Sequence, residues 1–317
     1  MTIAQTVAPA GELRVAGTEG LVDRIGKSGM GRARELRQLL EHRKILMAPG
    51  ASDALTARLV ESAGFPAIYM TGFGATAVRL GTPDLGLVTQ TEMATHARDM
   101  ARAVRIPIIA DADTGYGGPA NIVRTVEEYI QAGVAAIHLE DQSAPKRCGQ
   151  LAGIKLIAAE ENVRRLKCAL AARAANDLLI IGRTDALPAI GSDEAIRRAK
   201  LYQDAGVDLV FVDGIKKIAE IEAVARAVDG PKVVSIVDGN ETTTLTARDL
   251  EQMGFAVVLY AVSALFSAAR AIAETLAALR THGTPKSRED AMMTYAEFSE
   301  VVDLAAFKKL DDEFGWS

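Results

Sequence analysis

Eight short apolar runs recur along this chain, separated by stretches with helical spacing, and that alternation constrains the fold more than any other feature. The runs are ILMA (45–48), AIYM (67–70), PIIAD (107–111), AAIHLE (135–140), LLIIGR (178–183), DLVFVD (208–213), KVVSIV (232–237) and AVVLYA (256–261). The segment GRARELRQLLEHRK, ahead of the first run, reads as a helix with Leu36, Leu39 and Leu40 on one side. In NIVRTVEEYIQAG, the residues Ile122, Val126, Tyr129 and Ile130 form one stripe and Gly133 is the stop. In SDEAIRRAKLYQDAG, Ser192 stands where an N-cap is expected, Asp193 and Glu194 suit the positive helix end, and Gly206 closes the element. An Ala-Gly pair precedes a new apolar run at 63–64, 132–133 and 205–206, marking helix handing over to strand. Short strands without polar alternation imply a parallel sheet buried on both faces. Eight such units over about 235 residues match a (β/α)8 TIM-type barrel; a doubly wound open sheet is the alternative. The predicted organisation is an N-terminal segment over 1–30, a barrel over 31–282 that opens with an extra N-terminal helix, and a C-terminal helical extension over 283–317. That extension carries Phe298, Leu304, Phe307 and Leu310, which could pack on its own barrel or on a neighbouring subunit.

Composition narrows the partners. The 317 residues carry a formal charge of −5 and no basic stripe interleaved with aromatics, which argues against nucleic acid. No apolar run reaches the roughly 18 residues of a membrane span. The apolar stretch at 3–10 is too short, and lacks the basic flank, for a signal-peptide core. Two cysteines, Cys148 and Cys168, are too few for a disulfide framework, which points to a reducing compartment. The expectation is a cytoplasmic, globular protein.

In a barrel of this kind, chemistry sits at the C-terminal ends of the strands. Those ends are unusually acidic here: Asp111 and Asp113 after the third run, Glu140 and Asp141 after the fourth, Asp185 after the fifth, Asp213 after the sixth, and Ser235 with Asp238 after the seventh, with Arg183 among them. Carboxylates aimed at one cavity repel each other and resist ionisation. A divalent cation relieves that conflict, and oxygen-only ligands favour a hard ion, Mg²⁺ first and Mn²⁺ second. The glycines of DADTGYGG permit a tight turn and close approach to a ligand. That motif could otherwise be a plain turn with an Asp cap, but Asp111 and Asp113 at alternate positions, with Glu140 on the next strand, favour a metal site. Asp185 could simply pair with Arg183 or cap the next helix. His138 is either a hydrogen-bonded core histidine or part of the site. In the loop Lys146-Arg147-Cys148-Gly149-Gln150, two cations flank a thiol and should lower its pKa, making Cys148 a candidate nucleophile or acid–base. Cys168 shares a helix with Val163, Leu166 and Leu170 and is expected in the core.

From about residue 35 to the C-terminus the chain resembles the isocitrate lyase / phosphoenolpyruvate mutase superfamily, nearer its methylisocitrate lyase and 2,3-dimethylmalate lyase branch. GASDALTARLVESAGFPAIYMTG, LGTPDLGLVT, DADTGYGG, HLEDQ, KRCG, GRTDAL and MMTYAEFSEVV carry the likeness. The resemblance implies Mg²⁺ or Mn²⁺ near Asp111, Asp113 and Glu140, with Asp84 of the PD motif acting through water. It implies a 2-oxo or 2-hydroxy acid held by the metal, by the backbone of Thr71-Gly72-Phe73 and by Arg183, with Tyr69 matching a tyrosine of the lyase sites. It also implies a last helix exchanged between subunits in a homotetrameric dimer of dimers. KRCG, with Lys146 and Cys148, marks the lyases and argues against phosphorus–carbon chemistry. The chain departs from the lyase pattern at Gln150, where the loop histidine is expected, and at Asp213, Ser235 and Asp238. Thr242-Thr243 likewise replaces a Thr-Pro pair. Ser235 and Asp238 fall where the lyases contact the distal carboxylate, which implies a changed pocket there.

The implied reaction is retro-aldol cleavage of a 2-hydroxy di- or tricarboxylate of the 2-methylmalate, dimethylmalate or methylisocitrate type. Tyr69, or a carboxylate acting through metal-bound water, would take the hydroxyl proton. Arg183 would hold developing charge, and Cys148 would protonate the leaving carbanion. His138, Asp213, Ser235 and Asp238 would line the substrate site. Oxaloacetate decarboxylation or hydrolysis on the same metal is the first alternative, and a non-catalytic carboxylate-binding barrel the second.

Overall fold

The computed structural model describes residues 30–42 and 44–315. The segment expected over 1–30 lies outside them except for Met30, which opens the first helix.

Helix α1 (Met30–Glu41) leads into strand β1 (Leu46–Ala51), followed by α2 (Ala54–Ser62), β2 (Ile68–Met70), α3 (Gly72–Leu80) and α4 (Gln90–Ala103). The chain continues with β3 (Ile108–Asp111), α5 (Pro119–Ala132), β4 (Ala136–Glu140), α6 (Ala159–Arg173), β5 (Leu179–Thr184), a short α7 (Ala186–Ala189) and α8 (Ser192–Asp204). It ends with β6 (Leu209–Val212), α9 (Ile218–Ala227), β7 (Lys232–Ile236), α10 (Ala247–Gln252), β8 (Val257–Tyr260), α11 (Ser263–His282), α12 (Tyr295–Val301) and α13 (Leu304–Phe314). All neighbouring strands pair in parallel, and β8 returns to β1, so the sheet closes into an eight-stranded barrel. The open-sheet alternative is thereby excluded.

Closure explains the absence of polar alternation. One face of each strand points into the barrel and the other against the helices, so both must be apolar. Ala48, Ile109, Ile181, Leu209, Val233 and Leu259 fill the interior, and Ala33 and Leu36 of α1 plug its N-terminal end. Ile68, Ile108, Ile137, Ile180, Val210, Val234 and Val258 form the outer layer against the helices. Two helix ends repay attention. Gly133 ends α5 in a left-handed turn, as expected. Gly191 rather than Ser192 occupies the cap position of α8, and Ser192 is its first helical residue. Cys168 is only half-buried, at the edge of the outer layer, because it sits on the flank of α6 rather than on the Leu166 face.

The C-terminal extension departs from the pattern of the barrel. No residue of α11 is buried, and Ile272 and Leu276 are each 59% exposed. Phe298, Leu304 and Phe307 on α12 and α13 are exposed as well, while Val301 alone is buried, where α12 meets α2. Among the described residues no helix is long and apolar enough to cross a membrane.

Candidate active site

The site begins where β3 stops. Asp111 ends the strand, and the following turn takes left-handed steps at Asp113 (φ 47°), Gly115 (φ 80°) and Tyr116 (φ 60°). Such backbone is costly for non-glycine residues and persists only where surrounding contacts hold it. Here the Asp113 N–H donates to Asp111 Oδ1 (2.9 Å), Glu140 N–H donates to Asp113 O (2.9 Å), and the Tyr129 hydroxyl donates to Asp111 O (2.8 Å). A Cβ on Gly115 would lie 2.8 Å from Ile122, so the glycine is sterically required. DADTGYGG is therefore a held turn that sets two carboxylates beside each other at the barrel mouth.

Two cations tie the acids together. Lys146, from the loop after β4, reaches Asp84 (2.8 Å to Oδ1) and Asp113 (2.6 Å to Oδ1). Burial works against its charge, but Asp113, Asp111, Glu140 and Asp84 outweigh it and hold its pKa well above the ordinary lysine value. Arg183 on β5 reaches Asp213 (2.6 Å), Asp185 (2.9 Å) and Glu140 (3.3 Å), with Phe211 beneath its guanidinium. Asp185 thus pairs with Arg183, and its side chain makes no capping bond to α7. Burial pushes the Asp113 carboxyl up to about 6 and Glu140 well above its usual range. For Asp111 burial also acts upward, but His138, Lys146 and Arg183 prevail and bring it to about 2.

A third chain of contacts runs through the barrel interior. Tyr69 Oη lies 3.1 Å from His138 Nε2, and His138 Nδ1 lies 3.6 Å from Asp111 Oδ1. Burial lowers the His138 pKa to about 4, so the ring is neutral near pH 7. Burial, reinforced by Asp111, raises the Tyr69 phenol well above its ordinary value. A raised phenol pKa keeps the Tyr69 proton in place near neutral pH and favours the carboxylate over Tyr69 as the base.

Cys148 corrects a second expectation. Its thiol is pushed up to about 11, chiefly by burial, rather than lowered. The neighbouring cations are committed elsewhere: Lys146 turns inward to Asp84 and Asp113, and the Arg147 guanidinium lies near the Ala152 carbonyl. A protonated thiol in the cavity that Asp111 and Arg183 also line suits proton donation. Gly149 brings this loop down onto the Arg183 cluster, where any Cβ would sit 2.6 Å from both Asp185 Oδ1 and Asp213 Oδ2.

Tyr69, Thr71, Phe73, Asp84, Asp111, Cys148, Arg183, Asp213, Ser235 and Asp238 line one cavity of about 400 Å³. Gly72 stands behind it, where a Cβ would come 2.4 Å from Asp111 Oδ2. The Thr71 hydroxyl caps α3 by accepting from Gly74 N–H (3.3 Å). Asp238 accepts from Ser263 at the start of α11 (2.7 Å). Asp113 and Lys146 border a second cavity of about 430 Å³ on the far side of their ion pair, and Glu140 is enclosed below Arg183. Among the described residues no three His, Cys, Asp or Glu side chains converge as a ready metal cage. The physical reason is that Lys146 and Arg183 draw the acids toward themselves.

The donors nonetheless fit a hard divalent ion. They are all carboxylate oxygens, and both Glu140 oxygens are buried without a hydrogen bond, Oε2 having only its 3.3 Å ion-pair contact with Arg183. Mg²⁺ needs only one or two protein carboxylates because it keeps several waters. Asp111, Asp113 and Glu140 are the residues able to hold it, with Asp84 beside them.

Sequence reasoning missed the support beneath the site. Asp141 is fully buried and accepts from Thr184 Oγ1 (2.6 Å), Asp185 N–H (2.9 Å), Arg198 (3.0 Å) and Tyr202 Oη (2.7 Å), fixing the end of β5 and hence Arg183. The only signal for it was an acid immediately following Glu140. Phe211, Lys216, Asn240 and Phe266 also line the cavity without having been singled out.

Comparison with known proteins agrees with this architecture. A family model described as phosphoenolpyruvate phosphomutase matches residues 36–280. The 2,3-dimethylmalate lyase of Eubacterium barkeri is 38% identical over 285 residues, covering 90% of this chain and 99% of the lyase. A structure of oxaloacetate acetylhydrolase with the inhibitor 3,3-difluorooxalacetate superimposes with a TM-score of 0.85 at 36% identity, covering 92% of this chain and 99% of that one. Phosphonopyruvate hydrolase, in a complex with oxalate and Mg²⁺, superimposes with a TM-score of 0.81 at 30% identity over 89% of this chain and 99% of that one.

Proposed function

The chain belongs to the isocitrate lyase / phosphoenolpyruvate mutase superfamily and is a carbon–carbon lyase within it; from that premise we propose that it cleaves a 2-hydroxy dicarboxylate of the 2-methylmalate or dimethylmalate type to a 2-oxo acid and a second carboxylate. The observation that carries the proposal is the half-buried Cys148 thiol in the same cavity as Asp111 and Arg183.

The family uses a divalent metal, and Mg²⁺, or Mn²⁺ in its place, is proposed at Asp111, Asp113 and Glu140. When bound, the cation supplies Lewis acidity toward the oxygens of the substrate. The protein does the rest. The backbone at Thr71-Gly72-Phe73 and the Arg183 guanidinium hold the carboxylate next to the hydroxyl. A carboxylate of the cavity wall, Asp84 or Asp111, accepts the hydroxyl proton. As the carbon–carbon bond breaks, the hydroxyl carbon becomes the 2-oxo group and the bonding pair passes to the carbon beside the second carboxylate. The Cys148 thiol then delivers its proton to that carbon, a contribution of about 10²–10⁴. Tyr69 keeps its proton and steadies the substrate end facing His138.

The likeness to oxaloacetate acetylhydrolase and the short Ser235 and Asp238 side chains favour a second reading, hydrolysis or decarboxylation of oxaloacetate. A metal-supplemented assay following pyruvate, oxalate and acetate from 2-methylmalate, dimethylmalate and oxaloacetate separates the two. Pyruvate from the malates supports lyase action; turnover of oxaloacetate alone overturns it.

The exposed apolar side chains of α11 and α13 support a homo-oligomer, a dimer of dimers in which the C-terminal helices cross to a neighbour. The two unpaired cysteines fit a reducing, cytoplasmic setting.

A further inference from the structure

The charged groups on the cavity wall are Asp84, Asp111, Arg183, Asp213, Lys216 and Asp238. Asp84 is paired with Lys146, Asp213 with Arg183, and Asp238 accepts from Ser263. Arg183 is itself shared between Asp213, Asp185 and Glu140. Lys216 differs: its backbone N–H donates to Glu220, but its ammonium forms no ion pair among the described residues. It stands exposed on the loop after β6 and lines the same cavity as Ser235 of β7 and Asn240 of the loop that follows. A neutral donor of the same cavity is also unspent, since the Gln150 Nε2 is buried without a hydrogen-bond partner. The loops carrying these residues touch, because a Cβ on Gly214 would lie 3.2 Å from the Gly149 carbonyl oxygen.

A dicarboxylate brings two negative ends into this cavity, and Arg183 serves the one beside the hydroxyl. Burying the other without a partner would be costly. We infer that Lys216 is the specificity-determining residue that pairs with the substrate carboxylate remote from the hydroxyl, with the Gln150 amide as its neutral companion. This rests on the proposed 2-hydroxy dicarboxylate reading and adds to it the element that selects a second carboxylate.

The test compares two acids of similar skeleton, 2-methylmalate and 2-hydroxy-2-methylbutyrate, which lacks the remote carboxylate. Both are titrated calorimetrically with Mg²⁺ into the full chain carrying Cys148→Ser, so that bound acid is not consumed. With Lys216 present the diacid binds roughly ten-fold tighter or more, the scale of a hydrogen bond to a charged group. Adding Lys216→Met removes that margin and leaves the monoacid unchanged, Lys216→Arg retains it, and Lys217→Met on the same loop changes neither. A margin that survives Lys216→Met, equal weakening of both acids, or no margin in the parent would each overturn the inference. Failure of the underlying reading looks different: neither acid would then bind in a Mg²⁺-dependent way, and both proposals fall together.

Discussion

The Lys146 ammonium lies 2.6 Å from Asp113 Oδ1, and the same nitrogen contacts Asp84, so one side chain bridges two buried acids at the barrel mouth. Removing one partner of a buried pair leaves uncompensated charge, at about 3–5 kcal/mol. Lys146→Met should therefore lower stability in chelator-treated protein by roughly that much, read as a fall in the denaturant midpoint. A divalent ion bound to the released acids should return part of the loss, so added Mg²⁺ should raise the melting temperature of Lys146→Met more than that of the parent protein. Equal Mg²⁺ responses in the two proteins would contradict the placement of the ion near Asp113.

Metal affinity itself should depend on Asp111. Asp111→Asn keeps the shape and removes the charge, and Mn²⁺ titration should show affinity reduced about ten-fold or more, one charged hydrogen bond's equivalent. Gly72→Ala should act on the same carboxylate from behind, since the added Cβ would come 2.4 Å from Asp111 Oδ2. Wild-type Mn²⁺ binding in both variants would remove Asp111 from the ligand set.

Cys148→Ser should fold normally and lose about 10²–10⁴ in turnover, because a serine hydroxyl is a far weaker acid than the thiol. The pH behaviour of the thiol is a separate check. With its pKa pushed up to about 11 by burial, Cys148 is protonated throughout the neutral range and ionises only as pH rises toward 11. Alkylation of Cys148 by iodoacetamide should be slow at pH 7.5 and still climbing at pH 10. A plateau reached by pH 8 would show an activated thiolate and sink the acid role.

Asp141→Ala should be among the most damaging changes away from the substrate cavity. It strips the buried Arg198 of its 3.0 Å carboxylate partner and removes the acceptor of the Thr184 and Tyr202 hydroxyl protons. A loss of about 3–5 kcal/mol is expected in urea unfolding. Asp141→Asn, which keeps shape and acceptor but not charge, should lose less.

The strands were readable because closure makes both faces apolar, and each expected run overlaps its observed strand to within a few residues. The acids at the strand ends were readable for the same reason, since a carboxylate interrupting such a run has few other places to be. Side-chain direction was not. Lys146 and Arg147 are adjacent, yet one turns inward to two aspartates and the other lies along its own loop, and only the packed loop decides which. That error carried over to Cys148, whose expected activation assumed both cations nearby. Asp141 was hidden because its partners Arg198 and Tyr202 lie on α8, some sixty residues away along the chain. The cap of α8 moved by one residue because Gly191 and Ser192 are both acceptable there, and the backbone at Gly191 takes φ 125°.

The seam between β1 and β8, with Leu46 opposite Val257 and Ala48 opposite Leu259, joins residues more than two hundred positions apart. A nascent chain on the ribosome therefore keeps an unzipped edge on its first strand until nearly the whole barrel has emerged. The last stave to be synthesised completes the circle, and premature termination anywhere before it would leave two sticky borders in place of none.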